Sequence, residues 1–231
     1  MKVLAIDTSN FTLGIALVNE NQVIGEYTTN LKKNHSVRVM PAIETLLRDC
    51  DTKPKELTKI VVAQGPGSYT GVRIGVTIAK SLAWTLQIPL SGVSSLEVLA
   101  ANGRYFNGVI SPLFDARRGQ IYTGLYEMEK DSLKTVIEDC NILSSEWANQ
   151  LKELNRPVLF VGQDVDIHRD AITEALGELA VFAPVQSYNS RPSELAFIGL
   201  DKTEVDVHQF VPNYIRMAEA EAKWLEQQQG K

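Results

Sequence analysis

The chain carries one short pattern twice. Val3-Leu4-Ala5-Ile6 is a continuous apolar run that ends on Asp7, turns through Thr8-Ser9-Asn10 and returns along Leu13-Gly14-Ile15-Ala16-Leu17-Val18. In the second half Val109-Ile110-Ser111-Pro112-Leu113-Phe114 ends on Asp115, turns through Ala116-Arg117-Arg118-Gly119 and returns along Gln120 to Tyr126. An uninterrupted apolar run of this length reads as a strand buried on both faces. A third strand follows in each copy, Val23 to Tyr27 and Leu133 to Ile137. Two such units, too far apart for a short-period solenoid, predict two similar α/β halves.

Amphipathic helices fill the intervals. The spacing predicts a helix from about His35 to Cys50 with Val37, Met40, Ile43, Leu46 and Leu47 on its apolar stripe. A second helix is predicted over about 70–87, with Val72, Val76, Ala79, Ala83 and Leu86 inward. Ser94-Ser95, with Glu97 behind, caps a short helix that ends at Asn102-Gly103. Further helices are expected around 145–154, 166–176 and 193–199, a strand at Val158 to Val161, and a last helix over 218–228. The predicted lobes are 1–102 and 103–231, with helix 218–228 available to pack back on the first.

Between strand Ile60-Val61-Val62-Ala63 and the second helix lies Gly65-Pro66-Gly67-Ser68-Tyr69-Thr70-Gly71-Val72-Arg73-Ile74-Gly75. Four glycines in eleven residues let backbone crowd into a small volume, where it can cradle a phosphate or admit a closely packed neighbour. The spacing is neither G-x-x-x-x-G-K-[ST] nor G-x-G-x-x-G. Ser68 can cap the helix. Asp7-Thr8-Ser9 and Asp115 have two readings each: a carboxylate that holds hydrated Mg²⁺ beside phosphate-binding hydroxyls, or an Asx-turn that closes the hairpin. Arg117 and Arg118 can pair with Asp115 or with an outside anion. His35, His168 and His208 are scattered, which argues against a metal site, and no nucleophile elbow or Cys–His pair stands out. Tyr214, Arg216 and Trp224 read as packing and caps.

The 231 residues are 44% hydrophobic and 22% charged, and carry a net charge of −5. That is an ordinary globular composition. No run of Lys or Arg exceeds two, so unaided nucleic-acid binding is disfavoured. Two distant cysteines, Cys50 and Cys140, and an opening strand in place of a signal peptide predict a reduced, cytoplasmic chain.

The duplicated halves resemble the two-lobed actin-like/Hsp70-like (ASKHA) fold, with βββαβα-type halves and mixed sheets. A narrower resemblance rests on Leu4-Ala5-Ile6-Asp7-Thr8-Ser9, His35-Ser36 with Met40-Pro41, the glycine loop, Phe114-Asp115-Ala116-Arg117-Arg118, and Pro212-Asn213-Tyr214-Ile215-Arg216. Together these are similar to the TsaB (YeaZ) family. The resemblance implies a non-catalytic accessory subunit in the transfer of threonylcarbamoyl to adenosine 37 of tRNA. Its implied partners are the catalytic homologue TsaD and the ATPase TsaE, with a homodimer when alone and tRNA met only through the complex. ATP, Mg²⁺ and the metal belong to those partners, and this chain is expected to bind no cofactor alone. The implied docking surface is the helix pair at 35–50 and 70–87, with His35, Val39, Tyr69, Thr70, Arg73, Ile74, Thr77 and Trp84. TsaD-like chains carry a histidine pair in this region; here His35 stands alone, with Val39 and Met40 where a second ligand would fall. Gly162-Gln163 is a poor echo of an adenosine-binding Gly-Gly. The alternative is an ATP-binding kinase or ATPase that uses Asp7 and Asp115 across a cleft.

Overall fold

The computed structural model describes residues 1–31, 34–130 and 132–215. The expected helix at 218–228, with Arg216 and Trp224, lies outside the described residues. In the first half β1 (Val3–Asp7) pairs antiparallel with β2 (Leu13–Val18), and β2 with β3 (Val23–Thr29). The chain then runs through α1 (Val39–Asp49) to β4 (Lys59–Ala63), which lies parallel to β1. It continues through α2 (Tyr69–Leu86) to β5 (Leu90–Val93), parallel to β4, and ends in α3 (Ser95–Ala100). The strand order is β3-β2-β1-β4-β5.

The second half repeats this plan. Its strands are β6 (Val109–Asp115), β7 (Gln120–Glu129), β8 (Ser132–Leu143), β9 (Val158–Val161) and β10 (Ala180–Phe182), in the order β10-β9-β6-β7-β8. Helices α4 (Ser144–Lys152), α5 (Val165–Leu176) and α6 (Pro192–Asp201) occupy the places of α1, α2 and α3. The two sheets are both mixed, and the strand that ends in Asp is central in each. Both carboxylates therefore sit where strand C-termini open a crevice, the usual ligand position of open α/β sheets.

Packing joins the halves. Leu4, Ile6, Ile15, Ile60 and Val62 face α1 and α2, and Val109, Leu113, Ile121 and Phe160 face α4 and α5. The inner faces exchange helices. Leu96, Leu99 and Ala100 of α3 pack on Ile110, Phe114 and Tyr126 of the second sheet. Leu195 and Ala196 of α6 pack on Val3, Ala5, Ala16 and Val61 of the first. A Cβ on Gly199 would lie 2.2 Å from a Val61 methyl, so glycine sets that approach. Residues 192–201 thus lie against the first sheet. The reason is the small-residue face of the first sheet (Ala5, Ala16), which leaves room for a helix to settle.

The first helix also departs from expectation. Residues His35–Val37 form a 3₁₀ turn and α1 begins at Val39. The change of pitch rotates the stripe. Val39 is fully buried, whereas Val37 and Met40 are 69% and 46% exposed. The interval Val39–Ile43–Leu46–Leu47 is the i, i+4, i+7, i+8 face that α1 turns inward. On α2 the stripe falls as expected on Val72, Val76, Ala79 and Ala83, with Leu86 partly buried. β10, absent from the sequence reading, adds a fifth strand to the second sheet. Among the described residues no helix is long and apolar enough to cross a membrane.

Candidate functional site

The glycine loop is shaped by the turn beneath it. A Cβ on Gly67 would come within 2.1 Å of the Ser9 carbonyl oxygen, one on Gly71 within 2.2 Å of the Thr8 carbonyl oxygen, and one on Gly75 within 2.5 Å of Thr8 Oγ1. Side chains do not fit at such distances, so only glycine lets the β1–β2 turn nest against the start of α2. Hydrogen bonds fix the nesting: the Ser68 amide donates to the Ser9 carbonyl at 2.7 Å and Thr8 Oγ1 donates to the Gly71 carbonyl at 2.7 Å. Ser68 Oγ accepts from the Gly71 amide at 3.3 Å, the expected cap. The Gly65–Pro66 peptide is cis. What faces Gly67 and Gly71 is backbone carbonyl oxygen, and what faces Gly75 is a hydroxyl, so these glycines let the β1–β2 turn pack closely on the start of α2.

Asp7 belongs to the same turn. It is buried, and its Oδ1 accepts from the Ser9 amide at 2.9 Å and the Ser9 hydroxyl at 2.7 Å, the Asx-turn arrangement. Burial pushes its carboxyl above the ordinary aspartate range, while the Ser9 bonds and a bond from the Ser190 side chain pull the other way. Thr8 and Ser9 are buried with it.

Asp115 is more open. The Arg117 amide donates to its Oδ1 at 3.1 Å, and His168 Nε2 on α5 lies 3.1 Å from the same oxygen. His168 is buried, and the Asp115 amide donates to Asp164 at 2.9 Å. Beyond it Arg117, Arg118 and Gly119 all have left-handed backbones, at φ 66°, 55° and 74°. For arginine this costs on the order of 1–3 kcal/mol per residue. The Gln120 amide closes the turn on the Arg117 carbonyl at 3.0 Å. This turn and the glycine loop form opposite walls of an interlobe cleft of about 610 Å³. Tyr69 and Tyr214 line the cleft as well, their rings stacked at 5.1 Å.

An amide cluster outside the cleft lining joins the lobes. Gln163 Nε2 donates to Thr12 Oγ1 and Asn30 Oδ1, each at 3.1 Å, and to Asn189 Oδ1. Asn30 Nδ2 also donates to Asn189 Oδ1 at 3.0 Å. Sequence reading missed this cluster and the Asp115–His168 pair, because their members lie up to 177 residues apart with no motif to link them. Among the described residues no group of three or more His, Cys, Asp or Glu is placed to hold a metal ion.

The expected docking residues divide. Tyr69, Thr70, Arg73, Thr77 and Trp84 are exposed along α2, and Ile74 is half-buried between them. Tyr69, Thr70, Arg73, Ile74, Thr77 and Ile78, with Ser36, line an apolar groove of about 540 Å³. Arg73 donates to the Tyr69 hydroxyl at 2.6 Å and lies 5.2 Å over its ring. Val39 cannot share this face, because it lies in the core under α1. His35 is half-buried and turned inward, its Nε2 2.9 Å from the Asn10 carbonyl oxygen.

Comparison with known proteins gives this geometry its lineage. Residues 22–224 match the sequence model of the TsaD family, described as tRNA N6-adenosine threonylcarbamoyltransferase. The tRNA threonylcarbamoyladenosine biosynthesis protein TsaB of Bacillus subtilis (strain 168) is 60% identical over 228 residues, covering 99% of this chain and 100% of that protein. The TsaB of Escherichia coli (strain K12) is 31% identical, covering 64% of this chain and 69% of that protein. In fold, YeaZ from Pseudomonas aeruginosa superposes with a TM-score of 0.76 at 22% identity, covering 92% of this chain and 99% of that one. EutJ from Carboxydothermus hydrogenoformans superposes with a TM-score of 0.51 at 12% identity, covering 86% and 90%. With its duplicated actin-like lobes and near full-length identity, the chain belongs to the TsaB (YeaZ) family of tRNA threonylcarbamoyladenosine biosynthesis proteins.

Proposed function

We propose that this chain acts in tRNA threonylcarbamoyladenosine formation as a non-catalytic accessory subunit that docks on the homologous catalytic subunit TsaD, with TsaE joining the pair. The observation that carries the reading is the outer face of α2. Tyr69, Arg73 and Trp84 stand exposed there beside Ile74 and an apolar groove. Aromatic residues and arginine are the types that dominate protein interfaces. The same α2 spends its N-terminal glycines on the β1–β2 turn, where a phosphate-using relative would need free donors. The same face offers a route to a homodimer when the partner is missing.

The reading as an ATP-dependent enzyme needs Asp7 to hold hydrated Mg²⁺ at the cleft. Asp7 is 2% exposed and commits its carboxylate to Ser9 and Ser190, so it fits such an ion poorly. ATP, Mg²⁺ and any catalytic metal are accordingly assigned to the partner subunits, and tRNA is met in the assembled complex.

The test is titration of the purified chain against TsaD by calorimetry. Ile74→Glu or Trp84→Ala should weaken the heterodimer at least tenfold, about 1.4 kcal/mol, and Trp84→Ala, at an exposed site, should do so with the melting temperature held. Unchanged affinity in both variants would move the interface off α2.

A further inference from the structure

We infer that Asn107 is a modification site, at which the chain converts its own asparagine to aspartate and isoaspartate through a cyclic imide closed by the Gly108 amide. The site lies on residues 104–108, the connection from the first half to β6. Asn107 lines neither the interlobe cleft nor the α2 groove, so the inference stands apart from the docking reading.

Asn-Gly occurs twice in the sequence, at Asn102-Gly103 and Asn107-Gly108. The pair is reactive because glycine carries no Cβ to shield its amide nitrogen from the side chain before it. The fold treats the two pairs in opposite ways. Asn102 Nδ2 donates to the Ser187 and Asn189 carbonyl oxygens, both at 2.8 Å. Gly103 is buried, and a Cβ there would lie 2.9 Å from the Ile110 side chain. The Asn102 amide can turn toward its own backbone only by giving up two hydrogen bonds and opening a packed turn. Asn107, by contrast, is exposed in a bend, and among the described residues its side chain makes no hydrogen bond. Among the same residues no backbone carbonyl accepts from the Gly108 amide.

The loop is held at both ends and open between them. The Phe106 amide donates to the Gly103 carbonyl at 2.8 Å and the Val109 amide to the Pro157 carbonyl at 3.1 Å, while Tyr105 at the tip is 94% exposed. Gly108 is fixed as glycine, because a Cβ would sit 2.4 Å from the Pro157 carbonyl oxygen and 2.5 Å from the Phe106 ring. Packing therefore demands the reactive neighbour and leaves Asn107 beside it. The step balances with water alone. Hydroxide removes the Gly108 amide proton, the nitrogen bonds to Asn107 Cγ, and the Cγ–Nδ2 bond breaks as ammonia leaves with a proton returned by water. Water then opens the ring. Cleavage at Cγ gives aspartate, and cleavage at the main-chain carbonyl gives isoaspartate, whose backbone runs through Cγ. Either product adds a negative charge at the entrance of β6, and the second lengthens the path between the halves by a carbon.

The test incubates the full chain at mildly alkaline pH and physiological temperature and follows its peptides by mass spectrometry, with isoaspartate counted by enzymatic carboxyl methylation. Aspartate and isoaspartate should accumulate at Asn107 about tenfold or more faster than at Asn102, the factor expected for breaking the two Asn102 hydrogen bonds. Conversion should quicken as pH rises, since the attacking nitrogen must lose its proton. In the urea-unfolded chain the two rates should converge. Asn107→Gln, which must close a larger ring, should stop conversion at that position and keep the parental melting temperature, because the residue is exposed. Equal rates at both positions in the folded chain, aspartate without isoaspartate at Asn107, or an Asn107 that converts only in the unfolded chain would overturn the inference. No partner enters the measurement, so its failure is distinct from failure of the docking reading.

Discussion

Single glycines carry much of the site. Gly67 and Gly71 face carbonyl oxygens at distances a methyl group cannot share, so Gly67→Ala and Gly71→Ala should each destabilise by about 1–3 kcal/mol through forced displacement of the β1–β2 turn. Chemical denaturation reads this directly, and a cost below about 0.5 kcal/mol would show that the turn has slack. Asp7 gives a prediction of opposite sign. Burial raises its carboxyl, so the folded protein holds a proton more tightly than the unfolded chain does. Stability contributed at this residue therefore falls as pH rises from the ordinary aspartate range through the raised folded value. Asp7→Asn keeps an acceptor for the Ser9 bonds and removes the buried charge. The variant should equal or exceed the parent in melting temperature at neutral pH, and its advantage should shrink as pH falls toward the aspartate range. An advantage that grew toward acid pH would contradict this. The pattern of residues offered the Asx-turn as one of two readings of Asp7 and Ser68 as a candidate cap, because each is made within three residues. It left the purpose of the glycines open, since the Thr8 and Ser9 carbonyls that demand them are some sixty residues away.

At the scale of elements, strands and helices were legible where their periodicity was unbroken. β1, β2, β4, β6, β9 and the inward face of α2 fall where the sequence puts them. The start of α1 did not, because a 3₁₀ turn at His35–Val37 shifts the phase of everything before Val39, and apolar spacing alone carries no record of a change in pitch. The consequence is experimental. Val39→Asp would place a charge in the core and unfold the first lobe, so it tests stability and not docking. The outer residues of α2 are the informative ones. Trp84, 58% exposed, can be cut to alanine with little effect on folding, whereas Val76→Ala, fully inside the same helix, should cost about 1–3 kcal/mol. α6 shows a second limit of sequence reading. Its composition identifies a helix, but only the small residues of the first sheet decide which half it joins.

The whole molecule is two copies of one unit tied across a cleft. The duplicated Asp hairpins made that plan visible, since each copy repeats the same strand order around its central strand. The tie itself was hidden: Gln163, Thr12, Asn30 and Asn189 come together only in three dimensions. Gln163→Ala should remove about 0.5–1.5 kcal/mol from this partly exposed junction by deleting its hydrogen bonds to Thr12, Asn30 and Asn189. Hydrogen exchange should then quicken around Asn30 and Asn189 before it quickens in either core. The proposed role has the scaffold keep the two-lobed actin-like fold and use it for docking. The most direct measurement is threonylcarbamoyl transfer to tRNA reconstituted with TsaD and TsaE, with this chain omitted, restored, or restored as Asp7→Asn or Ile74→Glu. Transfer should require the chain, survive Asp7→Asn and be lost with Ile74→Glu. Transfer by this chain alone, or its abolition by Asp7→Asn in a folded protein, would contradict it.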